Sequence, residues 1–210
     1  RERARAMKLV WHPKTRAARI IWMLEEVGVP YDLVRIELRD PAAPRDPEFA
    51  LASPMGKVPA LADGEARLAD SAAICLYLAD RYSYGNLAPR IEDADRGAYL
   101  KWMVYSTAVV DPLITLHQQH IDLPGPATGF GAYDDMVEVL NRKLKGRKYL
   151  LGDRFSAADV MLGATISMAL FRKELPEDGP LMDYNSRLAR RPAYQRAADA
   201  TWPAGLFHKA

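Results

Sequence analysis

The N-terminal part of the chain alternates short apolar runs with one helical pattern. Residues 8–11 form an apolar run that stops at His12, which predicts a first strand. From Arg16 apolar residues recur at helical spacing until Gly28, which predicts a helix with a glycine at its C-terminal end. Apolar and charged residues then alternate over residues 31–38, which predicts a second strand. Strand, helix and strand within about thirty residues indicate a βαβ unit with a parallel pair of strands.

The next segment, SPMGKVPALADGEARLADS over residues 53–71, predicts two further strands and the start of a helix. The apolar run VPAL is followed by a turn at Asp63-Gly64 and a short apolar return, and the helix then continues to Tyr82. Three prolines before this segment exclude one long helix and leave a loop with a short helix near residues 48–51. The order βαβ-α-ββα over residues 7–82 predicts a thioredoxin-like domain.

No further strand pattern follows, so residues 93–210 are expected to form an all-helical domain after a turn-rich linker at residues 83–92. The predicted helices include a long one over about residues 93–119, kinked at Pro112. Another begins at the sequence FSAADV, where Ser156 and Asp159 form a capping box and the flanking Phe155 and Val160 a hydrophobic staple. It is apolar nearly all round and is therefore expected to be the buried central helix. The fold class is thus α/β followed by all-α.

Composition narrows the range of functions. The formal net charge of +2 comes from the leader RERARA, with three Arg and one Glu; Met7 is interpreted as the natural start. A near-neutral chain argues against nucleic acid as a partner, and no apolar run is long enough to cross a membrane. The single cysteine, Cys75, lies among apolar residues and is expected to be inert. His117 and His120 have helical spacing, but no further ligand completes a metal site, so none is expected.

The strongest chemical signal lies at Val58-Pro59 and Asp70-Ser71. A proline in a strand is expected at an edge, at a strand start or after a cis bond that re-aims the backbone. Here the backbone N–H and C=O of Val58 are expected to lie unpaired on an exposed edge, free to bind an extended peptide as an added strand. Asp70-Ser71 opens a helix, where free N–H groups and the helix dipole favour a carboxylate. Together these features predict a site for a small acidic peptide.

The arrangement S-P-x-G-K-V-P-x-L, followed by D-S before an apolar helix, resembles the glutathione-binding half of the cytosolic glutathione S-transferases. The sequence G-D-R-F-S-A-A-D resembles the motif of their second domain, so the resemblance extends from Met7 onward. It implies that Val58 exchanges main-chain hydrogen bonds with the cysteinyl part of glutathione, and that Pro59 follows a cis bond. It further implies that Ser71 binds the γ-glutamyl carboxylate and Asp70 the ammonium group.

Each of these residues also has a simpler interpretation. Pro59 could be an ordinary strand proline, and Ser71 could do no more than cap its helix. Lys57 is a candidate for the glycyl carboxylate, with a solvated surface lysine as the alternative.

The residue that activates the thiol is less clearly marked. In the serine- and cysteine-using members, which are the bacterial type that this chain resembles, the reactive residue precedes a basic or polar helix residue by four positions. Counting back four from Arg19 gives Thr15, which replaces the usual Ser, Cys or Tyr and could instead be the helix N-cap. Arg16 could supply positive charge to the thiolate, and His12 is a third candidate.

The resemblance implies glutathione as co-substrate, a cytoplasmic homodimer, and conjugation of the glutathione thiolate to a small hydrophobic electrophile. The alternatives are a glutathione-dependent disulfide reductase or peroxidase, and a non-catalytic glutathione-binding regulatory protein. Maleylacetoacetate isomerase is disfavoured because its Ser-Ser-Cys signature is absent. Candidate walls of the electrophile site, which could equally be core residues, are Tyr105, Trp102 and Arg172, with Val109, Trp202 and Phe207 as further possibilities.

Overall fold

The computed structural model describes residues 6–38, 47–123 and 128–201. The chain divides into two units: residues up to Tyr82 form the N-terminal unit together with those from Pro192 onward, and residues 83–191 form the helical unit. The candidate walls Trp202 and Phe207 lie outside the described residues.

The N-terminal unit has the expected βαβ-α-ββα order. Its elements are β1 (Met7–Trp11), α1 (Ala17–Val27), β2 (Tyr31–Arg35), α2 (Pro47–Ala52), β3 (Ala60–Asp63), β4 (Ala66–Ala69) and α3 (Ser71–Tyr82). The strands form one sheet in the order β2-β1-β3-β4. β1 pairs with β2 in parallel, whereas β3 is antiparallel to both of its neighbours. This mixed sheet confirms the predicted thioredoxin-like fold.

The two faces of the sheet bury different sets of side chains. Phe49 and Ala52 of α2 pack on Val10 and Ala60 at one face. Leu9 and Leu61, which adjoin Val10 and Ala60 along the strands, point to the opposite face and are fully buried on the side of α1 and α3. The sheet is therefore a two-sided core, and each face positions the segments that leave the strand ends.

The last described helix, α9 (Pro192–Thr201), packs on α1 within the N-terminal unit. The rings of Trp22 and Tyr194 meet edge to face with centroids 4.8 Å apart, and Arg196 Nε lies 2.6 Å from Glu25 Oε2. Trp22 is 2% exposed, because α9 covers a side of α1 that the sheet does not cover. The structure thus differs from the expected second domain of residues 93–210, because this helix groups with the first unit.

The helical unit contains α4 (Arg96–Tyr105), α5 (Asp111–Gln118), α6 (Tyr133–Leu144), α7 (Ala157–Phe171) and α8 (Gly179–Ala189). The predicted long helix is interrupted by a π-helical segment, Ser106–Val110, and Pro112 then lies at the start of α5, where a missing N–H costs little. No helix within the described ranges is both long and apolar enough to cross a membrane.

The segment expected to be a linker, residues 83–92, groups with the helical unit. Arg154 anchors it by donating from Nη2 to the carbonyl of Gly85 at 2.9 Å and by pairing with Asp93 at 3.2 Å. Leu87 is buried, and its carbonyl accepts the Ala157 N–H at 2.9 Å. These contacts hold the segment against the start of α7.

As predicted, α7 is the buried helix: twelve of its fifteen residues are buried. Its start is fixed by Asp159, whose carboxylate accepts four hydrogen bonds. Oδ1 accepts the N–H of Leu150 and the hydroxyl of Tyr184, both at 2.8 Å, and Oδ2 accepts the N–H and hydroxyl of Ser156. The capping box is therefore confirmed and extends to two further elements. Burial raises the pKa of Asp159 to about 6, and the hydrogen bonds act in the opposite direction.

We expect Asp159→Asn to lower the free energy of unfolding by about 3 kcal/mol, because an amide nitrogen then faces two donors. The deficit should be larger at about pH 4.5 than at about pH 7. The pKa of about 6 lies above the ordinary 3.8, so the folded state holds a proton that the unfolded chain releases. The stability contributed by Asp159 therefore falls as pH rises through this window. Urea unfolding of both proteins measures the deficit; a deficit that grows with pH contradicts the raised pKa.

Candidate functional site

The register of β3 brings three segments of the N-terminal unit to one end of the sheet. Ala60, the first residue of β3, pairs with Val10 on one side and with Ala69 on the other. The chain after β1, the chain before β3 and the chain after β4 therefore emerge together. These are the segments that carry Thr15, Val58-Pro59 and Asp70-Ser71.

Val58 leaves its backbone free while its side chain is held. The side chain packs against the apolar cluster of Val10, Phe49 and Ala60. Within the described part of the chain, neither its N–H nor its C=O has a hydrogen-bond partner. The Val58-Pro59 bond is cis, as the resemblance implied. The free N–H and C=O of Val58 therefore lie immediately before Pro59, which is buried.

The origin of this free backbone differs from the prediction. The strand starts at Ala60 and is internal, so VPAL is not an edge strand. Pro59 stands at the strand start, where its missing N–H removes no ladder bond, and pairing has not yet begun at Val58. The backbone is therefore open because it precedes the strand.

Asp70, and not Ser71, caps α3. Asp70 has φ 71° and its Oδ1 accepts the N–H groups of Ala72 at 2.9 Å and Ala73 at 3.4 Å. The alternative in which Ser71 caps the helix is therefore wrong, because Ser71 is already the first helical residue. The buried Ser71 makes no side-chain hydrogen bond within the described residues, nor does Asp70 Oδ2. The start of α3 thus carries a hydroxyl and a carboxylate oxygen that have no hydrogen-bond partner within the described residues.

The three candidates for thiol activation lie between β1 and α1. Thr15 Oγ1 donates to the carbonyl of His12 at 2.7 Å and accepts the N–H of Ala17 at 3.3 Å. His12 Nδ1 lies 2.8 Å from the carbonyl of Ile36, so this nitrogen is the donor and the ring joins the ends of β1 and β2. Arg16 is exposed at the N-cap position of α1. Thr15 thus shapes the helix start and also lies at the sheet end.

Lys57 and Cys75 occupy opposite environments. The Lys57 side chain is exposed, whereas its backbone N–H and C=O both bond to the hydroxyl of Ser53. Ser53 was not among the predicted site residues, although it is the serine that opens the SPMGKVP motif. Burial raises the pKa of the Cys75 thiol to about 12, consistent with the inert cysteine predicted.

In the helical unit, Trp102 and Tyr105 contact one another, and Arg172 follows the end of a different helix, α7. The rings of Trp102 and Tyr105 meet edge to face with centroids 5.2 Å apart. Trp102 is buried, whereas Tyr105 is half-buried; burial raises the pKa of Tyr105, whose hydroxyl has no partner within the described residues. Arg172 is exposed at the C-terminal end of α7. Tyr105 therefore offers a half-buried hydroxyl without a hydrogen-bond partner in the described residues.

Among residues 6–38, 47–123 and 128–201, no set of three or more His, Cys, Asp or Glu side chains is placed to hold a metal ion. His117 of the histidine pair stacks on Tyr133, with ring centroids 3.7 Å apart.

Comparison with known proteins identifies the family of the chain. Residues 15–81 match the family described as glutathione S-transferase, N-terminal domain, and residues 117–197 match glutathione S-transferase, C-terminal domain. Glutathione S-transferase F10 of Arabidopsis thaliana is 31% identical over 157 residues, which cover 68% of this chain and 71% of that protein. The chain belongs to the glutathione S-transferase family.

Two further relatives of the chain are informative. Disulfide-bond oxidoreductase YfcG of Escherichia coli is 28% identical over 204 residues, covering 90% of this chain and 93% of that protein. The theta class glutathione S-transferase of Xanthomonas axonopodis pv. citri, solved with glutathione bound, is 29% identical with a TM-score of 0.70. The matched region covers 91% of this chain and 96% of the Xanthomonas chain. The fold and family are therefore shown over nearly the whole length.

The cap at Asp70 predicts different effects for two substitutions. We expect Asp70→Ala to lower the free energy of unfolding by about 2 kcal/mol, because it removes the cap and places alanine at a left-handed φ. Asp70→Asn keeps an acceptor oxygen and tolerates this φ, so its loss should stay below about 0.5 kcal/mol. Urea denaturation at constant pH measures both. Equal losses in the two variants contradict the cap.

Proposed function

We propose that this protein binds glutathione at the end of the sheet and conjugates its thiolate to a small hydrophobic electrophile. The observation that carries the proposal is the unpaired backbone of Val58 beside the end of α3 at Asp70-Ser71. An open pair of peptide groups recognises an extended peptide, and a helix N-terminus recognises its carboxylate. Glutathione is a peptide of this kind.

Each group then has a proposed partner on glutathione. The N–H and C=O of Val58 exchange hydrogen bonds with the cysteinyl residue, after which Pro59 turns the chain into β3. The hydroxyl and N–H of Ser71 bind the γ-glutamyl carboxylate. Asp70 uses Oδ1 for its cap, so Oδ2 is available for the ammonium group. Lys57, which is exposed, binds the glycyl carboxylate.

Thiolate formation is proposed to depend on Thr15. The thiolate is the nucleophile, and a hydroxyl donor together with the field of the α1 N-terminus lowers the pKa of a thiol. The Thr15 hydroxyl now donates to the His12 carbonyl and must turn toward the sulfur to take this role. Arg16 adds positive charge at the same helix end. The sulfur then attacks the electrophilic carbon and forms an S–C bond as the leaving group departs with its electron pair.

The second substrate is proposed to contact the helical unit through Tyr105, whose hydroxyl is free and half-buried. Trp102 supports that ring from within the core. This assignment makes glutathione a co-substrate and uses no metal. A cytoplasmic location is proposed with it, by analogy with the cytosolic members of the family.

A second candidate is reduction of glutathione-linked or protein disulfides. The relative named as a disulfide-bond oxidoreductase favours it, since that likeness covers most of both chains. Threonine at the reactive position favours it too, because it departs from the commoner Ser, Cys and Tyr. In that reaction the thiolate attacks a disulfide sulfur, and the other sulfur leaves as thiolate.

The decisive experiment measures glutathione affinity by calorimetry and the pKa of the bound thiol by thiolate absorbance. We expect Thr15→Ala to raise this pKa by about 1 and to lower the conjugation rate about tenfold. Thr15→Ser should retain both values because it keeps the hydroxyl. Thr115→Ala is the matched control, since Thr115 also donates to a backbone carbonyl, at 2.8 Å, on the helical unit.

Haloaromatic conjugation and disulfide reduction are then assayed side by side. Conjugation alone supports the proposal, whereas reduction alone supports the second candidate. Glutathione binding without any fall in the thiol pKa supports a non-catalytic binding protein. No binding at all excludes all three.

Association into a homodimer is also proposed. Leu100 and Val104 lie one turn apart on α4 and are 39% and 55% exposed, and Ile91 is 72% exposed. The N-terminal unit exposes Leu51 and Met55 to 72% and 81%. Each unit thus exposes an apolar patch of the kind that marks an interaction site, and two copies could cover both reciprocally.

We expect Val104→Asp to convert the dimer to a monomer, because a charge in an apolar interface is costly to desolvate. Size-exclusion chromatography with light scattering measures the mass. Ile121→Asp is the control, since Ile121 is 46% exposed but lies beyond α5. A wild-type protein that is monomeric at high concentration contradicts the proposed assembly.

A further inference from the structure

The hydroxyl of Ser53 binds both polar groups of the Lys57 backbone. Ser53 Oγ donates to the Lys57 carbonyl at 2.7 Å and accepts the Lys57 N–H at 2.9 Å. Ser53 is 3% exposed, so these bonds are shielded from water. Such bonds are costly to lose, because a buried polar group left without a partner is destabilising.

The bond to the carbonyl orients the next residue. The carbonyl of Lys57 and the N–H of Val58 belong to one planar peptide group and point in opposite directions. A hydroxyl that fixes the carbonyl therefore turns the Val58 N–H away from Ser53. Both backbone groups of Lys57 are occupied by Ser53. In the next residue, Val58, the N–H and the C=O both remain free.

Ser53 is itself held on both sides. Its N–H donates to the Phe49 carbonyl at 2.8 Å, and its carbonyl accepts the Gly56 N–H at 2.8 Å. Phe49 is 1% exposed in the same apolar cluster that anchors the Val58 side chain. Gly56 has φ 64°, a left-handed conformation that glycine adopts without strain. The serine thus joins the end of α2 to the peptide group that precedes Val58.

We propose that Ser53 is a positioning residue that pre-orients the main chain of Val58 for the cysteinyl part of glutathione. This inference rests on the proposed function. A serine suits the position because one oxygen must donate and accept at once. Alanine leaves both Lys57 groups unpaired, and cysteine keeps a similar size with a much weaker donor. Threonine retains the hydroxyl.

The test compares glutathione affinity, measured by calorimetry, in four variants. We expect Ser53→Ala to weaken binding about tenfold and Ser53→Cys to weaken it in the same direction. Ser53→Thr should stay within about twofold of the wild type, because it restores the hydroxyl. Ser106→Ala is the matched control: Ser106 is 0% exposed and donates to the Trp102 carbonyl at 2.8 Å. Wild-type affinity in Ser53→Ala and Ser53→Cys overturns the inference, as does an equal loss in Ser106→Ala.

Amide hydrogen exchange separates this inference from the proposed function because it needs no glutathione. Exchange at the Lys57 amide should be protected in the wild type and at least about tenfold faster in Ser53→Ala, since its acceptor is gone. Unchanged Lys57 exchange overturns the positioning role. Absence of glutathione binding by the wild type overturns the proposed function, and the exchange data then still decide whether Ser53 orders this peptide group.

Discussion

The pairing of β3 with a neighbour on both sides is the constraint on which the candidate site depends. Because Ala60 pairs with Val10 and with Ala69, segments far apart in sequence leave the sheet at the same end. The pairing also determines which backbone groups remain free. Inside the strand the backbone pairs with neighbouring strands, whereas two residues before its start, at Val58, the N–H and C=O have no partner within the described residues. The start of an internal strand thus leaves free peptide groups at Val58, where glutathione is proposed to bind.

Helix α2 supports this arrangement from one face of the sheet. Phe49 packs against Val10 and Ala60. Ser53, the residue after α2, donates a hydrogen bond to the backbone carbonyl of Lys57. On the same helix Glu48 pairs with Arg67 of β4 at 3.2 Å, and β4 leads directly to Asp70. One short helix is therefore connected to both parts of the proposed glutathione site. The apolar cluster supplies most of the stabilisation, since a partly exposed ion pair contributes little by itself.

In the helical unit, the main constraint is the position at which the central helix α7 begins. This helix is apolar all round, so its direction and starting point must be set by polar groups at its end. Asp159 does so with bonds to Leu150, Ser156 and Tyr184, which lie on three different segments. A buried carboxylate is costly to desolvate, and its four donors offset that cost. The capping box of Ser156 and Asp159 therefore serves folding, whereas the proposed glutathione site lies in the N-terminal unit.

Local patterns in the sequence determined the type of nearly every element. Apolar periodicity marked α1 and α7, Gly28 ended α1, and the SPMGKVP and DS motifs indicated the candidate site residues. Tertiary structure alone decided that β3 is internal, that α9 packs on α1, that Asp70 caps α3, and that Ser53 holds Lys57. The reason is that periodicity and capping act within a few residues, whereas strand order, helix docking and the hydrogen bonds of a single hydroxyl depend on which distant segments the folded core brings together.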